Sequence, residues 1–413
     1  MKDEDAAGVR LDPDGSPHWR RNLWVCVGGS FTTLVGMSLV LPFLPLYIAD
    51  LGEHDPARIV QWSGIAYGAT FLSAGLVAPL WGHLADRYGR KLMLIRASLG
   101  MAVAMSLMGL VHDVTQLVVL RLLIGLLGGY SSGSNVLVAT QSPAGRTGWA
   151  LGTLAAGIMA GNLVGPLVGG VLPGWIGIRN TFFLVGGVIF LTFLATATLI
   201  REERRPSGSR PGGAGWAAVP DRRPVLAMLA CGTLLMVANM SVEPIITVFV
   251  ATLVAPAQVT LLAGLAMAAG ALGAILSAPR LGRLADRVGH WTVIVGSLLV
   301  CALLLVPQAF ATAGWQLVGL RLVMGAALGG LLPCITSVIR HNVPDRATGT
   351  ILGYAISSQY VGQVVGPVAG GFVGGHYGMR AVFLGTAALM AAGAALVWAM
   401  RPAQPLPKVS SKL

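Results

Sequence analysis

Gly82-His83-Leu84-Ala85-Asp86-Arg87-Tyr88-Gly89-Arg90-Lys91 returns as Gly282-Arg283-Leu284-Ala285-Asp286-Arg287-Val288-Gly289-His290-Trp291. The second copy begins 200 residues after the first, about half of the 413-residue chain. Each copy is a short polar stretch between two long apolar runs. That pattern reads as a tight turn between membrane helices, used once in each half of a duplicated protein.

Composition agrees. The chain is 55% hydrophobic and 11% charged, where a soluble domain carries about 25% charged residues. Its apolar runs, roughly 20 residues each, can cross a hydrocarbon core of about 30 Å. They lack the alternation of barrel strands, so the crossings are helices. The predicted fold class is an all-α membrane protein of twelve transmembrane helices in two pseudo-symmetric six-helix bundles. The spans are expected at 23–48, 61–81, 92–111, 114–140, 148–172, 177–199, 225–253, 258–281, 292–310, 315–339, 348–374 and 379–400. The domains are then a tail (1–22), an N-terminal bundle (23–200), a linker (201–224), a C-terminal bundle (225–400) and a tail (401–413). The run from Leu23 is too long for a signal peptide, lacks a small-residue cleavage site and precedes eleven similar runs.

Of the 28 lysines and arginines, 23 fall in the tails and even-numbered connections, and only Arg58, Arg179 and Arg380 on the other side. This asymmetry places both termini in the cytoplasm. It also accounts for the +12 net charge without a nucleic-acid partner, since no continuous basic stripe forms. Cys26, Cys231, Cys301 and Cys334 lie in apolar runs without ligand spacing, so neither metal nor disulfide is expected. The linker is rich in Arg, Pro, Gly and Ser and reads as a flexible tether.

Three further landmarks repeat. Arg121 and Gly125 pair with Arg321 and Gly325, again 200 apart. A ladder of Gly152, Gly161, Gly165-Pro166 and Gly169-Gly170 in the fifth span returns 201 residues on as Gly353, Gly362, Gly366-Pro367 and Gly370-Gly371 in the eleventh. Pro42 in the first span has a near-counterpart in Pro244 of the seventh. A two-fold duplication of this kind suits a carrier whose halves rock about a central site.

At these residues the chain resembles the major facilitator superfamily over nearly its whole length. The turn Gly82 to Lys91 is similar to that family's signature loop, Arg121 with Gly125 to its fourth-helix motif, and the fifth-span ladder to the motif of its antiporters. The resemblance therefore points to the twelve-helix drug:proton antiporter branch. Leu41 to Tyr47, Gly148 to Thr153 and Ser277 to Gly282 are most similar to MdtG-like bacterial multidrug exporters. His290-Trp291 departs from the pattern, which has two basic residues there.

The resemblance implies that Gly82, Asp86, Arg87, Gly89, Arg90 and Lys91, with Gly282, Asp286, Arg287 and Gly289, form a gating latch. Physically, the glycines permit the reversal and Asp86 can accept bonds from exposed helix amides; a loop that merely fixes topology is the alternative. The ladders Gly152, Gly161, Gly165, Pro166, Gly169 and Gly353, Gly362, Gly366, Pro367, Gly370 allow close helix contact, and the resemblance makes them gating contacts between halves. Ordinary packing is the alternative.

Arg121, Glu243 and Arg321 lie inside spans, where charges are costly and mark function. The family arrangement places their helices around the cavity, and helical rise puts all three in its outer half. Desolvation disfavours a charged carboxylate and an adjacent arginine favours it. Glu243 is thus the candidate proton carrier, against the alternative of a static ion pair. Phe31, Tyr47, Tyr67, Ser132, Asn135, Asn239 and Tyr354 are candidates to line the cavity, with Phe43 and Phe71 as further aromatics. A lining both apolar and hydrogen-bonding suits varied amphiphiles, and two arginines against one glutamate suit neutral or anionic ones.

The expected function is proton-coupled export of drug-like small molecules by alternating access; a specific metabolite or sugar carrier on the same fold is the alternative. No Ser/His pair, paired acids or metal spacing at membrane depth suggests an enzyme, and no phosphate-binding loop suggests ATP. The expected energy source is the proton gradient, with no cofactor. The expected partners are a small molecule and the bilayer, and the setting is a functional monomer in a bacterial inner membrane.

Overall fold

Lipid cannot pair with backbone N–H and C=O groups, so each crossing must satisfy its own. The computed structural model describes residues 16–202 and 215–401, apart from the side chains of Asp345 and Arg346. Most of both predicted tails and the middle of the predicted linker lie outside the described residues. Among those described the regular structure is helical. The first half holds α1 (Trp19–Ser38), α2 (Leu44–Asp50), α3 (Pro56–Tyr88), α4 (Arg90–Met108), α5 (Val114–Leu127), α6 (Tyr130–Gln141), α7 (Thr147–Ile176) and α8 (Ile178–Leu199). The second half holds α9 (Arg222–Ala251), α10 (Val259–Val288), α11 (His290–Ala309), α12 (Gly314–Leu328), α13 (Leu331–Asn342), α14 (Asp345–Tyr377) and α15 (Met379–Met400). Ten segments are long and apolar enough to cross a membrane, counting α5–α6 and α12–α13 as one each. The pair α1–α2 and the long α14 complete twelve crossings.

Buried apolar side chains divide between the halves. One cluster runs from Val219 to Val397 and takes only Val60 from the first half, while two others lie wholly between Leu23 and Ile200. The halves meet where α3 lies along α14 and α7 along α10.

Three expected boundaries are corrected. The signature stretch is helical through Tyr88, and the reversal is made by Gly89 alone, at φ 95°. Gly289 does the same at φ 92°. An L side chain rarely adopts such angles. Gly82 and Gly282 therefore lie inside helices and take no part in the turn; a methyl at either meets nothing within 4 Å. The first span is not continuous, because α1 stops at Ser38 and α2 starts at Leu44. Pro42 and Pro45 remove the N–H groups that the Ser38 and Leu41 carbonyls would use, and Tyr67 Oη donates to the Leu41 carbonyl at 3.0 Å instead. Its near-counterpart Pro244 sits in an unbroken α9, with no second proline one turn on. The fourth and tenth spans are interrupted at Gly128–Gly129 and Gly329–Gly330.

The ladders also pack otherwise than expected. A Cβ on Gly161, Gly165 or Gly169 would strike Phe31, Ser38 or Leu39 of the first crossing, and one on Gly362, Gly366 or Gly370 would strike α9. These are contacts within each half. The seam between halves is made by the neighbouring face, where Pro166 and Gly170 meet Gly264 and Pro367 and Gly371 meet Gly64, so the two ladder prolines do contact the other half as expected. Gly152 and Gly353 have open space. Gly169→Ala should therefore destabilise the fold by about 1–3 kcal/mol through backbone overpacking, since its Cβ would lie 1.8 Å from the Leu39 carbonyl oxygen. Gly152→Ala should leave the melting midpoint in detergent unchanged. Equal midpoints for the two variants would contradict this assignment.

Candidate functional site

Between the halves lies a cavity of about 1350 Å³. Its deep end brings together Tyr67 of α3, Arg121 of α5, Asn239 and Glu243 of α9, and Arg321 of α12. Five expected residues from four crossings thus converge. Arg121 and Arg321 are only 2% and 4% exposed. The Arg121 guanidinium sits 5.7 Å from the Tyr67 ring centre, a favourable place for a desolvated cation. Arg121 Nε, Arg321 Nε and Nη2, and Glu243 Oε2 are buried without hydrogen-bond partners. Among the described residues no ion pair joins Glu243 to an arginine, which argues against a static bridge. All three charged side chains line this one cavity.

The cavity runs from this cluster to Arg340, His341 and Thr348, on the face where the described residues begin at Ser16 and end at Arg401 and where the described ends of the linker lie. There Gly148, Gly152, Gly349 and Gly353 meet nothing within 4 Å. On the opposite face the glycine seams of α3–α14 and α7–α10 bring backbone onto backbone. The molecule is therefore open toward the linker face and shut at the other.

Several candidates lie elsewhere. Tyr47 is 1% exposed, packs on Phe182 at 5.3 Å and donates to the Met108 carbonyl at 2.6 Å, so it belongs to the core of the first half. Phe43 packs on the same Phe182 ring. Tyr354 is 42% exposed and stacks on Trp216 of the linker at 5.9 Å. Phe31 is outside the cavity lining, and its backbone lies against Gly161 of α7. Ser132 and Asn135 are exposed on α6, outside the lining of this cavity. Phe71 does line it. Sequence reasoning missed its commonest side chain: Met37, Met159, Met236, Met240, Met267 and Met324 all face the cavity. A methionine count of 15 is the only signal the sequence carried for them.

At the signature turn Asp86 does not cap α4. Its carboxylate accepts from Arg90 Nη2, one turn on. The cap is Glu202, just past the end of α8, whose carboxylate accepts from the Arg90 and Lys91 amides at 2.7 Å each. Glu202 thus holds the α4 N-terminus, as its dipole favours, while Asp86 holds the Arg90 side chain. In the second copy Asp286 faces His290 Nε2 at 3.8 Å.

These features coincide with what comparison finds. A sequence profile described as Major Facilitator Superfamily matches residues 26–306 and 256–412. The chain belongs to the major facilitator superfamily. It is 40% identical over 378 residues to the Multidrug resistance protein MdtG of Enterobacter lignolyticus (strain SCF1), covering 91% of this chain and 90% of that one. The protein of the same name from Salmonella paratyphi C (strain RKS4594) is 40% identical over 393 residues, with 94% and 97% covered. Among solved structures, the nucleoside transporter NupG superposes with a TM-score of 0.74 at 15% identity, over 92% of this chain and 98% of that one.

In a transporter of this family the Asp86–Arg90 contact has a consequence. Asp86→Asn removes the charge that holds Arg90 while keeping the side chain's shape. Transport should fall at least about tenfold, in line with the loss of a charge-assisted bond, with membrane insertion unchanged. Transport at the unsubstituted rate would remove the turn from the gate.

Proposed function

We propose that this chain exports chemically varied, drug-like small molecules from the cytoplasm in exchange for protons, by alternating access of its two halves. The observation that carries this reading is the cavity lining, six methionines around one carboxylate and three arginines. Methionine is unbranched and polarizable, and it fits guests of different outline at little cost. Asn162 and Asn239 add hydrogen-bonding groups. The relatives named for multidrug resistance support the same substrate class.

In this reading Glu243 carries the proton, loading it on one side of the membrane and releasing it on the other. The proton gradient is the energy source and no cofactor takes part. Arg121, Arg321 and Arg340 against one glutamate favour neutral or anionic guests over bulky cations. Both termini and the linker lie on the cytoplasmic side of a bacterial inner membrane, a placement supported by the lysine and arginine asymmetry. The cavity as described then opens to the cytoplasm, and the working unit is a monomer.

The test is proton movement in energised everted vesicles on addition of candidate drugs. Drug-evoked proton efflux with several unrelated compounds is expected. Saturable transport of a single compound, indifferent to drugs, would replace this reading with a specific carrier on the same fold.

A further inference from the structure

The two halves differ by one residue at an informative place. Landmarks from Gly82 and Gly282 to Gly125 and Gly325 are 200 apart, whereas the glycine pairs Gly128-Gly129 and Gly329-Gly330 and the ladders beyond them are 201 apart. The fourth crossing therefore lacks a residue that the tenth has. Removing one residue from a helix turns its remaining length by about 100° and draws it back about 1.5 Å. Yet α6 and α13 present matching faces. Ser132 and Asn135 are exposed like Pro333 and Thr336, while Ser134, Leu137 and Val138 are buried like Ile335, Val338 and Ile339.

The backbone shows how register is kept. In the tenth crossing Gly329 stays right-handed at φ −59° and donates to the Gly325 carbonyl at 3.1 Å. In the fourth, Gly128 is extended and Gly129 takes the left-handed conformation at φ 102°. That break takes the Leu126 and Gly128 carbonyls out of the helical ladder. Two side chains take them up. Trp81 Nε1 donates to Leu126 at 2.8 Å and Arg96 Nη2 to Gly128 at 2.7 Å, with the Arg96 guanidinium 3.5 Å from the Trp81 ring centre. Arg96 sits inside α4, with Nε and Nη1 buried and unpartnered. The positions 200 residues on are Leu281 and Gly296, which can donate nothing from their side chains.

We propose that Trp81 and Arg96 are positioning residues, a brace that sets the register of α6 in the half that is one residue short. Trp81 lies on the arm entering the first signature turn and Arg96 on the arm leaving it. The brace therefore joins α6 to that turn, and the two move together when the linker face closes. The second half has neither the deficit nor the brace. The link to turnover rests on the transport reading above, whereas the register does not.

The register is read first, without any substrate, by thiol labelling of Ser132→Cys, Ser134→Cys and Asn135→Cys in membranes. In the otherwise unsubstituted protein positions 132 and 135 should label and 134 should not. With Trp81→Phe and Arg96→Leu together, labelling at 134 should rise at least about fivefold, as carbonyls left without a partner release the segment. Inserting one alanine between Leu126 and Leu127 gives the fourth crossing the length of the tenth, and should restore the original pattern in the doubly substituted protein. Trp81→Phe alone removes one donor and keeps the ring, so it reports the same shift, smaller, if the pair does not fold. Turnover should track the pattern, falling about tenfold with apparent KM within about twofold, because the deep cavity is untouched. An unchanged pattern in the double variant, or no restoration by the insertion, overturns the proposal.

Discussion

Replacing Gly264 with leucine is expected to hold the transporter open on the face opposite the linker and to lower export roughly a hundredfold, a shift of about 3 kcal/mol between the two states. The new Cβ would lie 2.3 Å from the Pro166 carbonyl oxygen and 3.1 Å from Gly170 Cα. Both are backbone atoms of the other half, so no side chain can rotate away. Only separation of α7 from α10 relieves the overlap, and that opens the seam. Gly64→Leu acts on the pseudo-equivalent seam, where the Cβ would lie 2.2 Å from the Pro367 carbonyl oxygen. The contacts of both positions are with the other half, so insertion and expression should be normal. The readout is labelling of Asn239→Cys by an impermeant thiol reagent applied from the side opposite the linker. It should be slow in the parent and fast in either glycine variant. Export at the parent rate would show that the seam does not need backbone contact to close.

Glu243→Gln is expected to separate substrate movement from its energy source. The amide keeps the size and hydrogen-bonding capacity of the carboxyl group and cannot exchange a proton. Drug-for-drug exchange across the membrane should stay within about threefold of the parent, because the cavity keeps its shape and its methionine lining. Accumulation driven by an imposed pH gradient should drop at least about tenfold, since among the described residues no other carboxylate lines the cavity and the cost of an isolated charge at that depth keeps alternatives scarce. Both quantities come from one vesicle preparation with a labelled drug, with and without the gradient. Accumulation that survives the substitution would place the proton carrier elsewhere in the chain.

How much was legible beforehand can be judged residue by residue. Arg121, Glu243 and Arg321 could be singled out because a charge within an apolar run breaks a strong compositional rule, and the cavity does gather them. The expectation for Tyr47, Tyr354, Ser132 and Asn135 rested on residue type and span number. Neither tells which side of a helix meets the cavity. In a soluble protein apolar periodicity would mark the inward face, but lipid and helix packing are equally apolar here. The six methionines went unnoticed for the same reason. The ladder glycines were recognised as sites of close approach, yet whether the partner was the first crossing or the other half depends on which face each glycine presents, a matter of helix rotation.

The amino-acid order alone determined the helical membrane class, the count of crossings, the duplication and the family, because hydrophobic length and repeated landmarks are one-dimensional properties. It even recorded the missing residue, as a change of offset from 200 to 201. Only the tertiary structure decided what that change does. Carbonyls taken out of a helix by one absent residue are paired by Trp81 and Arg96 from other helices, and such a partner is set by packing in space, at a separation no local pattern encodes.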